Sequence, residues 1–149
     1  MEEFGRPPGF TANGDLPKLK MVLDEALDAG LTINEIKEVL VQMYAYAGFP
    51  RSLNGINTFD EVVRQREQQG KRDVMGRVPG ALPADKSSLE LGSEIRTKLT
   101  GSNAVAGYAR FVPIIDDFLK AHLFGDIFGR DNLDYQSREI ATISALARF

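Results

Sequence analysis

Apolar residues recur at helical spacing through most of the chain. Leu16, Leu19, Val22, Leu23, Ala26 and Leu27 form one stripe, and Ile36, Val39, Leu40, Met43 and Ala47 form a second. A third runs through Leu53, Ile56, Val62 and Val63. No stretch alternates with period two for long enough to make a strand, so the pattern predicts an all-α fold. Punctuation supports the same elements. Asp15 is placed to cap the first helix, with Pro17 tolerated in its first turn and Gly30 closing it. Thr32 and Glu35 have capping-box spacing, with Leu31 and Ile36 as the hydrophobic staple, and Gly48 and Pro50 end the second helix. Pro50 opens the third, which Gly55 weakens by about 1 kcal/mol relative to alanine. The polar run Arg64 to Gln69 is expected in water until Gly70 ends the helix.

The remaining chain is less regular. Residues 1–14 hold prolines and glycines among few apolar residues and read as a loose leader turning at Asn13-Gly14. Residues 71–86 read as an ordered linker loop. A helix resumes after Ser87 or Ser88 with Leu91, Ile95 and Leu99, and stops at Gly101. Another runs from about Val112 to Leu123, with Ile115, Phe118, Leu119 and His122 on one side. Residues 124–133 are turn-rich, and Asp134 caps a last helix carrying Ile140, Ile143 and Leu146. The expected organisation is therefore leader 1–14, a helical unit 15–70, linker 71–86, and a partial second unit 87–149 packed on the first.

Composition narrows the function classes. The 149 residues carry a net charge of -3 with a pI near 5.2, which supplies no basic face for nucleic acid. The pair of helices joined by a short turn is not a DNA reader either, because Asn34, Glu35, Lys37, Glu38 and Gln42, read as its solvent face, are net acidic. There is no cysteine, hence no thiolate nucleophile and no disulfide. The start of the chain is acidic where a signal peptide is basic, and no run approaches the roughly 20 apolar residues of a membrane span. A soluble cytoplasmic protein is expected, with no membrane and no nucleic-acid partner.

Two stretches carry a resemblance. Gly30-Leu31-Thr32-Ile33-Asn34-Glu35-Ile36-Lys37-Glu38-Val39-Leu40, followed by Tyr46-Ala47-Gly48-Phe49-Pro50, resembles the carboxymuconolactone decarboxylase family, which includes the alkylhydroperoxidase D type of thiol peroxidase. Residues 118–128, with Arg130-Asp131-Asn132-Leu133 and Ser137-Arg138-Glu139-Ile140-Ala141-Thr142-Ile143, look like the entry to another copy of the same unit in two-repeat members. The resemblance implies an all-helical bundle and a homo-oligomer of trimeric or hexameric character that needs no cofactor. The chain starts near the point in a repeat at which it ends, so its ends look permuted or truncated relative to two-repeat members. The last helix, 135–148, is accordingly expected to pack on helices 16–29 and 33–47, of its own chain or of a neighbour.

The family's thiol peroxidases use a Cys-x-x-Cys pair, so their chemistry is not available to this chain. Two readings from different classes remain. One is a lyase or isomerase acting on a small carboxylated lactone or related acid, the other a non-catalytic binding or assembly protein that keeps the family core. For the first, Glu139 and His122 are the candidate proton-transfer groups, and Arg51 and Arg138 the candidate anion holders. Tyr46 and Asn54 are candidate pocket residues; Tyr44 and Phe49 could wall the same space or simply fill a helix seam. His122, the single histidine, on an apolar face beside Leu119 and Leu123, is more often a satisfied core residue. The nearby Asp116, Asp117, Asp126 and Asp131 match no calcium loop, because Thr142 stands where a bidentate glutamate belongs after Asp131, so no metal is expected.

Overall fold

A computed structural model describes residues 2–148; Met1 and Phe149, the outermost positions of the expected leader and last unit, lie outside the described residues. The described residues form helices α1 (Glu2–Asn13), α2 (Leu16–Asp28), α3 (Ile33–Gln42), α4 (Tyr44–Ala47), α5 (Phe49–Gln68), α6 (Ser88–Thr100), α7 (Gly107–Phe111), α8 (Pro113–Phe118) and α9 (Tyr135–Leu146). A wider π-helix occupies Leu119–Ile127, and there is no strand among the described residues. The fold is all-α, and it divides into two compact units: residues up to Val78 with those from Asn132 onward, and Pro79–Asp131.

In the first unit the expected loose leader is instead its central helix. Residues 7–12 of α1 are all buried, and α1 packs against α2, α3, α5 and α9. Pro7 and Pro8 lie inside it and remove backbone donors, a cost of about 3 kcal/mol for a proline in a helix interior. Burial offsets that cost. Phe10 joins Leu19, Leu23, Ile36 and Phe59 in one core cluster, while Ala12 joins Val39, Met43, Ala141 and Ala145 in the other. No local pattern announces this, because the small and imino residues of α1 read as a turn until a neighbouring helix packs on them.

The capping expectations hold in detail. Asp15 Oδ1 accepts from the Lys18 amide at 3.2 Å, and Thr32 and Glu35 form the reciprocal capping box, with the Thr32 amide donating to Glu35 Oε2 at 2.8 Å. The second helix breaks at Met43 into α3 and α4 before Gly48 ends it at a φ of 82°. Gly55 does not break α5. A Cβ there would meet Thr11 at 3.1 Å and Leu40 at 3.2 Å, so glycine lets α5 approach α1 and α3 closely.

One residue of the polar run is not in water. Arg66 is 4% exposed and donates to Asp73 through Nε at 2.8 Å and Nη2 at 2.7 Å, to Asp24 Oδ1 at 2.7 Å and to Asp28 Oδ1 at 2.9 Å. This fork pins the start of the following loop across α2 and α5. The loop then caps α3, with the Val74 and Met75 carbonyls accepting from the Ile33 and Asn34 amides at 3.0 and 2.9 Å. The Arg66 hydrogen bonds hold the Asp73 carboxyl below its ordinary value. A depressed carboxylate contributes stability above its unfolded pKa, about 3.9, and that stability is lost as pH falls through the folded value. Arg66→Met is expected to lower stability at neutral pH by about 2–3 kcal/mol, below the range for a fully buried pair because Asp24 and Asp28 are half-exposed. Urea unfolding at neutral and acid pH checks both parts: the difference from the parent protein should shrink as Asp73 is protonated.

The last helix belongs to the first unit. Asp134 Oδ1 accepts from the Ser137 amide at 2.8 Å. The helix lies mainly along α1, with further contacts to α3 and α4, so the expected partner α2 gives way to α1. Its buried face is Ser137, Arg138, Ala141 and Ala145, whereas Ile143 and Leu146 of the expected stripe are exposed. Small residues on α9 permit close packing on α1, which turns the larger apolar side chains outward.

In the second unit α6 begins at a capping box, Ser87 with Glu90, and ends at Gly101 as expected. The helix predicted from Val112 to Leu123 differs. It starts as α8 at Pro113 and widens at Leu119 into the π-helix, continuing into the stretch read as turns. Backbone meets backbone here. A Cβ on Gly92 of α6 would lie 1.7 Å from the Lys120 carbonyl oxygen, and one on Gly125 would lie 2.2 Å from the Ser88 carbonyl oxygen. The side of α8 read as apolar core is exposed at Ile115 and Phe118. The buried side chain is Asp116, which accepts from Arg96 Nη1 at 3.1 Å and pairs with Lys120 at 2.5 Å.

Candidate functional site

The first unit contains a polar centre between α3, α4 and α9. Arg138, completely buried on α9, donates through Nη2 to Glu38 Oε2 at 3.1 Å and through Nη1 to Gln42 Oε1 at 3.3 Å. Gln42 returns two bonds from Nε2, to the Arg138 carbonyl at 2.8 Å and to Thr142 Oγ1 at 2.9 Å. Thr142 in turn donates to the Arg138 carbonyl at 3.0 Å. Glu38 and Gln42 are one turn apart on α3, as are Arg138 and Thr142 on α9, so helical spacing alone puts each pair on one face.

Glu38 and Gln42 were expected on the solvent face of α3; they are 4% and 0% exposed. Their charge and amide had suggested water, but the partner that satisfies them lies about 100 residues away in sequence. The available signal was their position: both flank Val39 and Met43, which are core residues. Arg138 is likewise committed to Glu38 and Gln42 inside the bundle.

Glu139 and Tyr46 stand beside this centre. Glu139 keeps solvent access, yet the protein crowding it raises its carboxyl above the ordinary glutamate value by desolvation. Burial pushes the half-buried Tyr46 phenol up as well, the neighbouring Thr142 hydroxyl offsets part of that, and the Glu139 charge adds to the rise. Tyr46 thus lies within reach of both the Thr142 hydroxyl and the Glu139 charge. A protonated Glu139 can donate and an ionised one can accept, which is the property a proton-transfer group requires.

The other expected site residues are not part of this hydrogen-bonded centre, although Arg51 and Asn54 follow Tyr46 closely, on the helix after α4. Arg51 and Asn54 are exposed in the first turns of α5, Arg51 next to Gly14. Tyr44 stacks on Phe49 with ring centroids 4.4 Å apart, joining α4 to α5. His122 belongs to the second unit, on the π-helix. It is exposed there and not a core residue, and its Nδ1 lies 2.8 Å from Asp126 Oδ2 one turn on. Asp126 also accepts from Ser88 Oγ at 2.6 Å, and the Ser88 and His122 interactions hold its carboxyl low against the opposing effect of desolvation. Among the described residues no group of three or more histidine, aspartate or glutamate side chains is arranged to hold a metal ion, and no helix is long and apolar enough to cross a membrane.

Comparison with curated proteins finds no match. The family model described as Carboxymuconolactone decarboxylase family matches residues 10–61, which run from the end of α1 through α2, α3 and α4 into α5. The helical unit around the α3 capping box is thus the part of this cysteine-free chain that is similar to the carboxymuconolactone decarboxylase family.

Proposed function

We propose that the protein is a cofactor-free lyase or isomerase acting on a small carboxylated lactone or a related acid, with Glu139 as its proton-transfer group. The observation that supports this is the raised carboxyl of Glu139 on α9 near Tyr46, which lies within the family-like residues 10–61. In a decarboxylation the bond to the carboxylate breaks, carbon dioxide leaves, and the electron pair is taken up by the conjugated lactone carbonyl. A proton then has to reach carbon, and a protonated Glu139 supplies it. Tyr46 beside it offers a hydroxyl donor to the developing oxyanion. Arg51 and Asn54 at the start of α5 are the groups proposed to hold the substrate carboxylate, where the helix dipole also favours an anion. Arg138 acts through position, holding α9 in the register that aims Glu139. The proposed assembly is a homo-oligomer, a trimer or hexamer, in the cytoplasm.

Turnover of carboxymuconolactone and related lactone acids, followed by loss of ultraviolet absorbance, tests this reading. Glu139→Gln is expected to lower kcat by 10²–10⁴-fold, the range for general acid–base catalysis, and Arg51→Ala to raise KM. With protonated Glu139 as donor, the parent rate should fall as pH rises through a value above the ordinary glutamate pKa of about 4.3, and Glu139→Gln should lose that limb. The second reading, a binding or assembly protein without catalysis, draws on the full burial of Arg138 against Glu38, which leaves one expected anion holder fewer. Silence across the substrate panel, with Glu139→Gln indistinguishable from the parent protein, would favour it.

A further inference from the structure

The opposite face of α3 from Glu38 and Gln42 borders a cleft of about 330 Å³ between α3 and α5. Ile33, Leu40, Ile56, Phe59 and Val63 form its walls, and Met75 of the loop after α5 closes one end. That loop is held by two anchors, the Arg66–Asp73 fork and its bonds to the first amides of α3. The cleft is therefore preformed and of small-ligand size.

Its polar groups are unequal. The two helices run antiparallel, with Leu40 against Gly55, so Lys37 falls near Asn57 and Asp60, and Glu67 falls toward the Met75 end. Asp60 is paired with Arg64 at 2.6 Å. Lys37 has no ion pair and Asn57 no side-chain hydrogen bond among the described residues. An ammonium and an amide donor at the edge of an apolar cavity suit a ligand with a compact hydrocarbon body and one carboxylate.

We infer that this α3–α5 cleft is a binding site for a small apolar monocarboxylate, its hydrocarbon between Phe59, Val63 and Met75 and its carboxylate on Lys37 and Asn57. It is separate from the Glu139 site and does not depend on the proposed activity there. The test is calorimetric titration of the full chain with octanoate, and with octanol as its uncharged counterpart. Octanoate should saturate one site and octanol should bind about two- to fivefold more weakly, the loss of one exposed ion pair. Lys37→Met, an exposed change that keeps the aliphatic stem, should bring octanoate down to the level of octanol. Ile56→Phe, checked for retained helicity, should abolish both, and Glu139→Gln should change neither. Absence of saturable octanoate binding, binding at full strength in Lys37→Met, or binding lost in Glu139→Gln would each overturn the proposal.

Discussion

Arg138→Met is expected to destabilise the protein by about 3–5 kcal/mol, the range for removing one partner of a buried ion pair. Methionine is close to arginine in length, so the change creates little cavity. What it removes is charge. Glu38, 4% exposed, would keep a carboxylate in the protein interior, and the Gln42 carbonyl would lose its Nη1 donor. Chemical unfolding followed by far-ultraviolet circular dichroism measures the loss. The double variant Glu38→Leu with Arg138→Met is the informative companion: it should recover much of the loss, because an apolar pair in the place of a buried ion pair is often neutral. If Arg138→Met alone unfolds at the parent midpoint, the Glu38–Arg138 contact does not hold α9 on α3.

Gly92→Ala should cost about 3 kcal/mol or more, above the common range for overpacking. The added methyl would lie 1.7 Å from the Lys120 carbonyl oxygen, 2.6 Å from its carbon and 2.8 Å from the Gly125 amide nitrogen, and all three are backbone atoms that cannot rotate away. Either α6 moves off the π-helix or the unit opens, and amide exchange within residues 88–127 should accelerate in both cases. Gly107→Ala is the control. Its nearest neighbour is the Arg110 guanidinium at 4.0 Å, so helix propensity alone operates and the change should be neutral or stabilising by up to about 1 kcal/mol. Equal effects of the two substitutions would rule out a backbone-to-backbone seam between α6 and the π-helix.

The pattern of success and failure along the chain has one physical cause. Helix ends set by short-range chemistry were legible. Asp15, Thr32 with Glu35, Ser87 and Asp134 each cap the helix expected of them, because a side-chain oxygen and an amide three residues on need nothing from the rest of the fold. The all-α class was equally plain from apolar spacing, and so was the family resemblance around Thr32, which lies within the matched residues 10–61.

Partners distant in sequence decided the rest. Residues 2–13 look like a leader and become the central helix, since their small and imino residues gain stability only when other helices bury them. Glu38, Gln42 and Arg66 are polar in the alphabet and buried in the molecule; Glu38 and Gln42 are satisfied by α9 and Arg66 by Asp24 and Asp28 of α2 together with the nearby Asp73. Tyr46 comes near Thr142 and Glu139 of α9 only because that helix returns to the unit that holds α4. Local hydrogen bonding thus determined where the helices begin and end, while which face each helix buries was a choice among neighbours, and that exists only in three dimensions.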